Sequence, residues 1–415
     1  MEAETSHGAS GAATRALIIS AARDLFAERG FRGTTVREIA RRCRLTDPAL
    51  YYHFVSKQAL LQAVLEETPP AISLAGLPPA AGREEVAAYY NGTFRYWAEN
   101  LTVGRTLIAQ TLNSDAVAAA RLAEVRRGLE AAIPHHLVGV YGENSGLVGL
   151  GMRMLGSGLF AGETLRATRA SRRADDSTLT RSRVSAAVKV GCPSPAVARW
   201  AGTVPLPARR LPPLRPGPPA PSEGAERTRL RILEAALALF SERGFSATTV
   251  KAIGARCGLT DAALYYHFHS KTEILESLDE LPHTQLVPAA PEGQLNLEWL
   301  ARFVDGILGE FEAERDAIRL GFRQILLGNA VVAGQRYLAA RGWWKSMAIA
   351  CEATYPPGEA RARADIVAAI RIGIPHTLLV EAAMGAEAVP FDVLRPRLLR
   401  AVAALLPVDA GLSAS

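Results

Sequence analysis

The sequence is poor in the features that mark disulfide-built, membrane-spanning or catalytic chains. Among 415 residues there are only four cysteines, Cys43, Cys192, Cys257 and Cys351. They are widely spread, with no CxxC pair and no zinc-type spacing, which excludes a disulfide framework and points to a reducing, cytoplasmic setting. No run of 18 or more uncharged apolar residues suggests a membrane span. The opening MEAETSHGAS has no apolar stretch after a basic start, so no secretory leader is expected. Strand-type alternation is not evident, and no GxSxG, HExxH or P-loop string occurs. His135-His136 has no third ligand nearby, and Gly149, Gly151, Gly156 and Gly158 lack the spacing and preceding strand of a dinucleotide fingerprint. No cofactor, no metal and no enzymatic activity are expected.

What the chain does have is a repeat. Ile18–Leu61 and Ile232–Leu275 lie 214 positions apart and are identical, without a gap, at roughly 27 of 44 positions. The length predicts more than one domain. At 49% apolar and 21% charged residues, the composition is that of a globular protein with ample core material. The net charge of +6 is unevenly placed. Between Thr164 and Ser222 there are 11 Arg or Lys against Asp175 and Asp176, which leaves about −3 for the remainder. That segment ends in VPLPARRLPPLRPGPPAPSEG, a stiff spacer by composition, 20 residues of which reach on the order of 60 Å. Its charge fits either a tether for phosphates or a solvated linker without a specific partner.

Helical periodicity runs through both repeats. Ile18, Ala21, Ala22, Leu25 and Phe26 form the buried stripe of a first helix, with Gly30 placed to end it. Thr34 and Thr35 precede a second helix whose Val36, Ile39, Ala40 and Cys43 point inward. Arg44 occupies the following turn, where the second repeat has Gly258. Thr46 or Asp47 caps a third helix with Pro48 in its first turn, and Leu50 and Phe54 face the core. That leaves Asp47, Ala49, Tyr51, Tyr52 and His53 outside or at the edges. Such an exposed short helix, followed by Ser56-Lys57 at the start of a fourth, suits a DNA groove: its N-terminal residues reach base edges while Tyr, His and Lys hold phosphates.

The string GFxxTTVxxIAxxCxLTDxALYYHFxSKxxLL resembles the N-terminal domain of TetR-family bacterial transcriptional regulators, over Thr14–Leu65 and again over Thr228–Leu278. The resemblance implies a three-helix reader joined by a fourth helix to an all-α domain that binds an effector and dimerises. Carried over residue by residue, it implies phosphate contacts from Thr35, Tyr51, Tyr52, His53 and Lys57, and from Thr249, Tyr265, Tyr266, His267 and Lys271. The implied base-edge candidates are Arg37, Asp47, Pro48 and Ala49, matched by Lys251, Asp261, Ala262 and Ala263. Arg37 can fork onto guanine, and Asp47 either accepts from cytosine N4 or merely caps its helix. One departure matters: members of that family usually carry one reader and pair as homodimers, whereas two unequal readers share this chain.

The expected organisation is all-α and tandem. A tail (1–13) precedes the first reader (14–65), a shortened helical body (83–163) and the basic linker (164–224). A second reader (225–278), a second body (294–407) and a tail (408–415) follow. The first body is expected to lack a counterpart of Phe391–Leu406, and its last helix is rich in glycine, each costing roughly 1 kcal/mol against Ala. Tyr90, Phe94 and Trp97 in the first body, and Phe303, Phe322, Trp344 and Met347 in the second, are either core or the lining of a pocket for a small apolar effector. The expected partner is double-stranded operator DNA, engaged by a pseudo-dimer within one chain or by a homodimer, and not a membrane. The rival to a ligand-responsive repressor is a structural protein that bridges two separate duplexes through the long linker.

Overall fold

A computed structural model describes residues 2–66, 82–112, 115–169, 176–209, 224–245, 247–281, 286–327, 329–387 and 389–408. Residues 67–81, most of the proline-rich spacer, residues 409–415 and the side chains of His135 and His136 lie outside that description. Every regular element among the described residues is helical.

The first reader comprises α1 (Glu2–Gly33), α2 (Val36–Arg42) and α3 (Asp47–His53), and α4 (Lys57–Glu66) leads to the body. Its counterpart comprises α11 (Ala225–Arg243), α12 (Val250–Cys257), α13 (Asp261–His267) and α14 (Lys271–Glu276). Two expectations are corrected at the N-terminus. Residues 2–13 continue α1 rather than forming a tail; they hold no proline to stop a helix. Gly30 does not end α1, which runs on to Gly33, whereas its equivalent Gly244 does end α11 with a positive φ of 86°.

The first body holds α5 (Arg83–Glu99), α6 (Leu101–Leu112), α7 (Ala116–Tyr141) and α8 (Ser145–Arg169). It does not stop there. The expected aperiodic linker contains α9 (Asp176–Gly191) and α10 (Pro195–Thr203), and this corrects both the linker's extent and the shortened first body. Ala187, Val188, Cys192, Ala198 and Ala201 are buried along these two helices. Their buried faces are built from small residues, so the apolar stripe is hard to see among the arginines. Ser194 caps α10, and Pro195 occupies its first turn, where the missing N–H costs nothing.

The second body holds α15 (Leu297–Leu326, kinked at Glu314), α16 (Ala330–Thr354), α17 (Pro357–Ala383) and α18 (Phe391–Leu405). The kink splits α15 into counterparts of α5 and α6. With α9 recognised, α8 and α9 correspond to α17 and α18.

These four helices pack together, two from each half. The most extensive helix pair of the molecule is α8 with α17, flanked by α18 on α8 and α9 on α17. Two glycines explain the closeness. A Cβ on Gly158 would stand 1.8 Å from the Ala369 carbonyl oxygen, and one on Gly373 would stand 1.9 Å from that of Met154. Both Gly158 to Gly373 and Met154 to Ala369 are spaced by 215 residues, within one of the repeat offset. The glycines that weaken α8 as an isolated helix therefore permit backbone contact across a two-fold-like crossing. Thr377 donates to Ser157 across it at 3.2 Å, and the Arg183–Asp365 ion pair also joins the halves. Helix α17 is long and apolar enough to cross a membrane, but its apolar length is spent on α8, α16, α9 and α15.

Candidate nucleic-acid interface and interior cavities

Each reader is built outward from a small core. Ile18, Ala22, Leu25, Phe26, Ile39, Leu50 and Phe54 are buried in the first; Ile232, Ala236, Leu239, Phe240, Ile253, Leu264 and Phe268 take the same places in the second. Burial of Leu50 and Phe54 turns the rest of α3 outward. Tyr52 is 88% exposed and Tyr266 79%, while Tyr51 and Tyr265 are each 49% exposed. His53 and His267 sit half-buried beside the outer tyrosines, rings edge-on at 5.4 and 5.3 Å. Arg37, Pro48, Lys251, Asp261 and Ala262 are exposed; Asp47, Ala49 and Ala263 are half-exposed. The named base-edge candidates and the Thr, Tyr and His phosphate candidates of each repeat are thus all exposed or half-exposed.

Caps decide which groups remain available. Thr46 caps α3 by accepting from Ala49 N at 3.4 Å, and Thr260 caps α13 by accepting from Ala263 N at 3.2 Å. The cap therefore falls to threonine, which leaves the Asp47 and Asp261 carboxylates for another partner. Thr35 closes a capping box: it accepts from Glu38 N at 3.2 Å, and its own N–H and hydroxyl donate to Glu38 Oε2 at 2.8 and 2.9 Å. Thr249 accepts from Ala252 N at 3.1 Å, with alanine where the first reader has Glu38. Thr34 does not cap α2. It is buried and donates to Leu25 O at 3.1 Å, as Thr248 does to Leu239 O at 3.2 Å.

Lys57 and Lys271 are placed inward. Lys57 Nζ donates to Phe31 O (2.9 Å) and Thr34 O (3.0 Å) and lies 4.3 Å above the Phe31 ring. Lys271 Nζ repeats this with Phe245 O (2.7 Å), Thr248 O (2.8 Å) and the Phe245 ring. Burial pulls both ammonium groups below the ordinary lysine range. Two of three donors on each lysine thus tie the fourth helix of the reader to the junction between its first and second helices.

Arg44 was not among the contact candidates. It holds a left-handed φ of 57° in the turn before α3, is exposed, and matches Gly258 at φ 68°. A left-handed arginine costs roughly 1–2 kcal/mol that glycine avoids. The sequence signal was the Arg/Gly mismatch in an otherwise matched turn.

The readers join the bodies differently. The first shares its core with Leu107 of α6 and Ala118 of α7. The second shares Leu320 of α15 and is further held by buried Arg323, which donates to Ser241 O at 2.8 Å and Phe240 O at 3.3 Å. Ser241 in turn donates to Asp316 at 3.0 Å.

Two interior cavities lie at equivalent places. One, about 210 Å³, is lined by Tyr90, Phe94 and Trp97 from α5, Leu107 from α6, and His376 and Val380 from the opposite half. The other, about 270 Å³, is lined by Ile307, Phe322 and Trp343 of the second body and by Ala161 and Leu165 of the first. Of the expected pocket residues, Tyr90, Phe94, Trp97 and Phe322 line these cavities. Phe303, Trp344 and Met347 do not, and this is a correction. Phe303 stacks between Trp299 (5.1 Å) and Trp343 (5.9 Å) in the core, and Met347 is fully buried there. Trp344 donates to Asp365 at 2.9 Å beneath the Arg183 guanidinium. His376 was missed; the signal was a lone imidazole in the apolar run GIPHTLLV.

The family model for bacterial regulatory proteins of the tetR family matches residues 18–64 and, separately, 232–278. A segment of the chain is 37% identical over 79 residues to the HTH-type transcriptional regulator AcrR of Shigella flexneri, covering 19% of this chain and 34% of that protein. Over 52 residues it is 42% identical to the HTH-type transcriptional regulator UidR of Escherichia coli (strain K12), covering 12% and 26%. A 78-residue match to the HTH-type transcriptional regulator SrpR of Pseudomonas putida is 36% identical, covering 19% and 37%. The matched segment thus spans about a quarter to just over a third of these relatives' own length.

Proposed function

The chain carries two tetR-family regulatory domains in tandem, and from that premise we propose that it is a transcriptional regulator that grips a two-half-site operator as a single chain and releases it when a small molecule enters a body. The observation that carries the proposal is the intramolecular pairing of α8 and α9 with α17 and α18 through Gly158 and Gly373. It joins two readers within one polypeptide, as two chains do in a homodimer. Linkage raises the effective concentration of the second reader, so docking needs no second chain.

In each half-site, α3 or α13 enters the major groove. Arg37 or Lys251 and the uncapped Asp47 or Asp261 face base edges, while Tyr51, Tyr52 and His53, or Tyr265, Tyr266 and His267, hold the flanking phosphates. Thr249 has a hydroxyl hydrogen to give a phosphate, whereas that of Thr35 is directed to Glu38. Moving such a switch from mostly bound to mostly released requires about 5.5 kcal/mol of differential ligand affinity. The setting proposed is the bacterial cytoplasm, on the nucleoid.

Operator selection from random DNA, followed by the mass of the selected complex, tests the reading. One chain on one protected block of two unequal half-sites is expected. Two chains per block would replace the single-chain form with a dimer. Two distant protected blocks would favour the bridging alternative, which the packing of the two bodies against each other disfavours.

A further inference from the structure

Among the described residues, the Tyr89 and Tyr90 hydroxyls and the His376 ring line the cavity of the N-terminal half without a hydrogen-bond partner, and of these side chains Tyr90 and His376 are the fully buried ones. Tyr90 is 5% exposed and its hydroxyl has no hydrogen-bond partner among the described residues; His376 is 4% exposed and neither of its ring nitrogens has one. Both line the same 210 Å³ space, whose walls are otherwise largely aromatic and aliphatic. A buried polar group left unpaired is costly and uncommon, and several on the wall of one largely apolar cavity describe half of a recognition site.

We propose that this cavity is a composite site for one uncharged, flat, apolar molecule bearing a hydroxyl group, read by Tyr90 from its own half and by His376 from the opposite half. The inference rests on the reading of the chain as a ligand-responsive regulator and names the chemistry of the ligand.

Burial pushes the His376 imidazole down to about 4, so it is neutral at physiological pH. A neutral imidazole presents one donor and one acceptor, and a tyrosine hydroxyl can serve as either. A ligand hydroxyl answers both. A carboxylate is poorly matched, because the cations at the wall are already engaged: Arg126 lies 3.6 Å from Glu381, and Arg153 also has a partner.

The matching cavity of the other half does not repeat this chemistry. At the 215-residue offset, Ala161 stands where His376 does, and at 214 residues Val304 stands where Tyr90 does. Its charged groups are committed, Glu310 to the Leu286 and Val287 N–H groups at 2.9 Å each and Arg371 to the Trp343 ring at 4.7 Å. The stoichiometry is therefore one ligand per chain. Leu107 belongs both to this cavity and to the first reader's core, so occupancy is felt first at that reader.

The test uses the full chain without DNA and 2-naphthol as the probe, read by calorimetry. One naphthol per chain is expected, with naphthalene-2-carboxylate bound at least tenfold more weakly. Tyr90→Phe and His376→Leu should each weaken naphthol about tenfold, the loss of one buried hydrogen bond, and leave naphthalene binding unchanged. Tyr90→Phe keeps the ring and serves if His376→Leu does not fold. The proposal is overturned by two naphthols per chain, by naphthol affinity unchanged from the parent in both variants, by tighter carboxylate binding, or by no uptake in a folded chain, which would mean that the cavity holds only water. The regulator reading fails separately, by loss of duplex binding in the parent chain.

Discussion

The two readers share most of their sequence and nearly all of their geometry, yet they differ in how they would hold DNA. Over residues 14–65 there are nine Arg or Lys against four Asp or Glu; over 228–278 there are six against five. The first reader is thus the more basic of the two, with Arg44 at a turn where the second has glycine. The second is less basic and is tied to its body by polar contacts, through Arg323 and the Ser241–Asp316 bond. The cavities behind them are equally unlike, with His376 on one side of the pseudo-axis and Ala161 on the other. One half has the more basic reader and the polar cavity, and the other a reader bonded to its body through Arg323.

The equivalence of the halves is most easily broken at the α8–α17 crossing. Gly158→Val and Gly373→Val should each destabilise the fold by at least about 3 kcal/mol, because the added Cβ meets backbone rather than a movable side chain. Denaturant unfolding checks this, and the two costs should agree. Unequal costs would show that the crossing is not two-fold.

The difference between the cavities can be sharpened by pH. The His376 value of about 4 lies below the ordinary histidine value of about 6.5, so the unfolded chain takes up a proton that the folded chain refuses. Its contribution is fully present above pH 6.5 and is lost as pH falls toward 4, on the order of 3 kcal/mol in all. His376→Leu should flatten that part of the stability–pH profile, and an unchanged profile would mean that the imidazole is not held neutral. Arg126, Arg153 and Glu381 share the wall and stay in place in both proteins.

The readers are compared by crippling one at a time. Tyr51→Ala and Tyr265→Ala should each weaken operator binding about tenfold, and together about a hundredfold or more. With Tyr265→Ala, binding should remain steeply salt-dependent; with Tyr51→Ala the salt slope should be shallower, since the less basic reader is left intact. Equal slopes would erase the distinction. The smallest effect is at the turn. Arg44→Gly should raise stability by about 1 kcal/mol by removing a left-handed arginine, and reduce the salt slope by about one if Arg44 meets a phosphate.

The readers were legible because their information is local. Apolar spacing, threonine caps and a doubled string fix α2, α3, α12 and α13 within some 45 residues. The bodies were less so, because their information lies in contacts between distant segments. Helix α9 was hidden because its buried face is Ala187, Val188 and Gly191, which lack the bulk that makes a stripe visible. The glycines of α8 were read as a weakness, because only the partner helix reveals what their missing side chains admit. His376 was invisible as a site residue because its cavity is assembled from both halves. Aromatic content alone could not separate Trp97, on a cavity wall, from Phe303, in a packed stack.

In a regulator made of two identical subunits, every change in the gene is expressed twice, facing itself across the axis. At the contact of Gly158 with Ala369 and of Gly373 with Met154, each position here is encoded once. A lineage carrying this gene can therefore alter one arm while its opposite stays as it was.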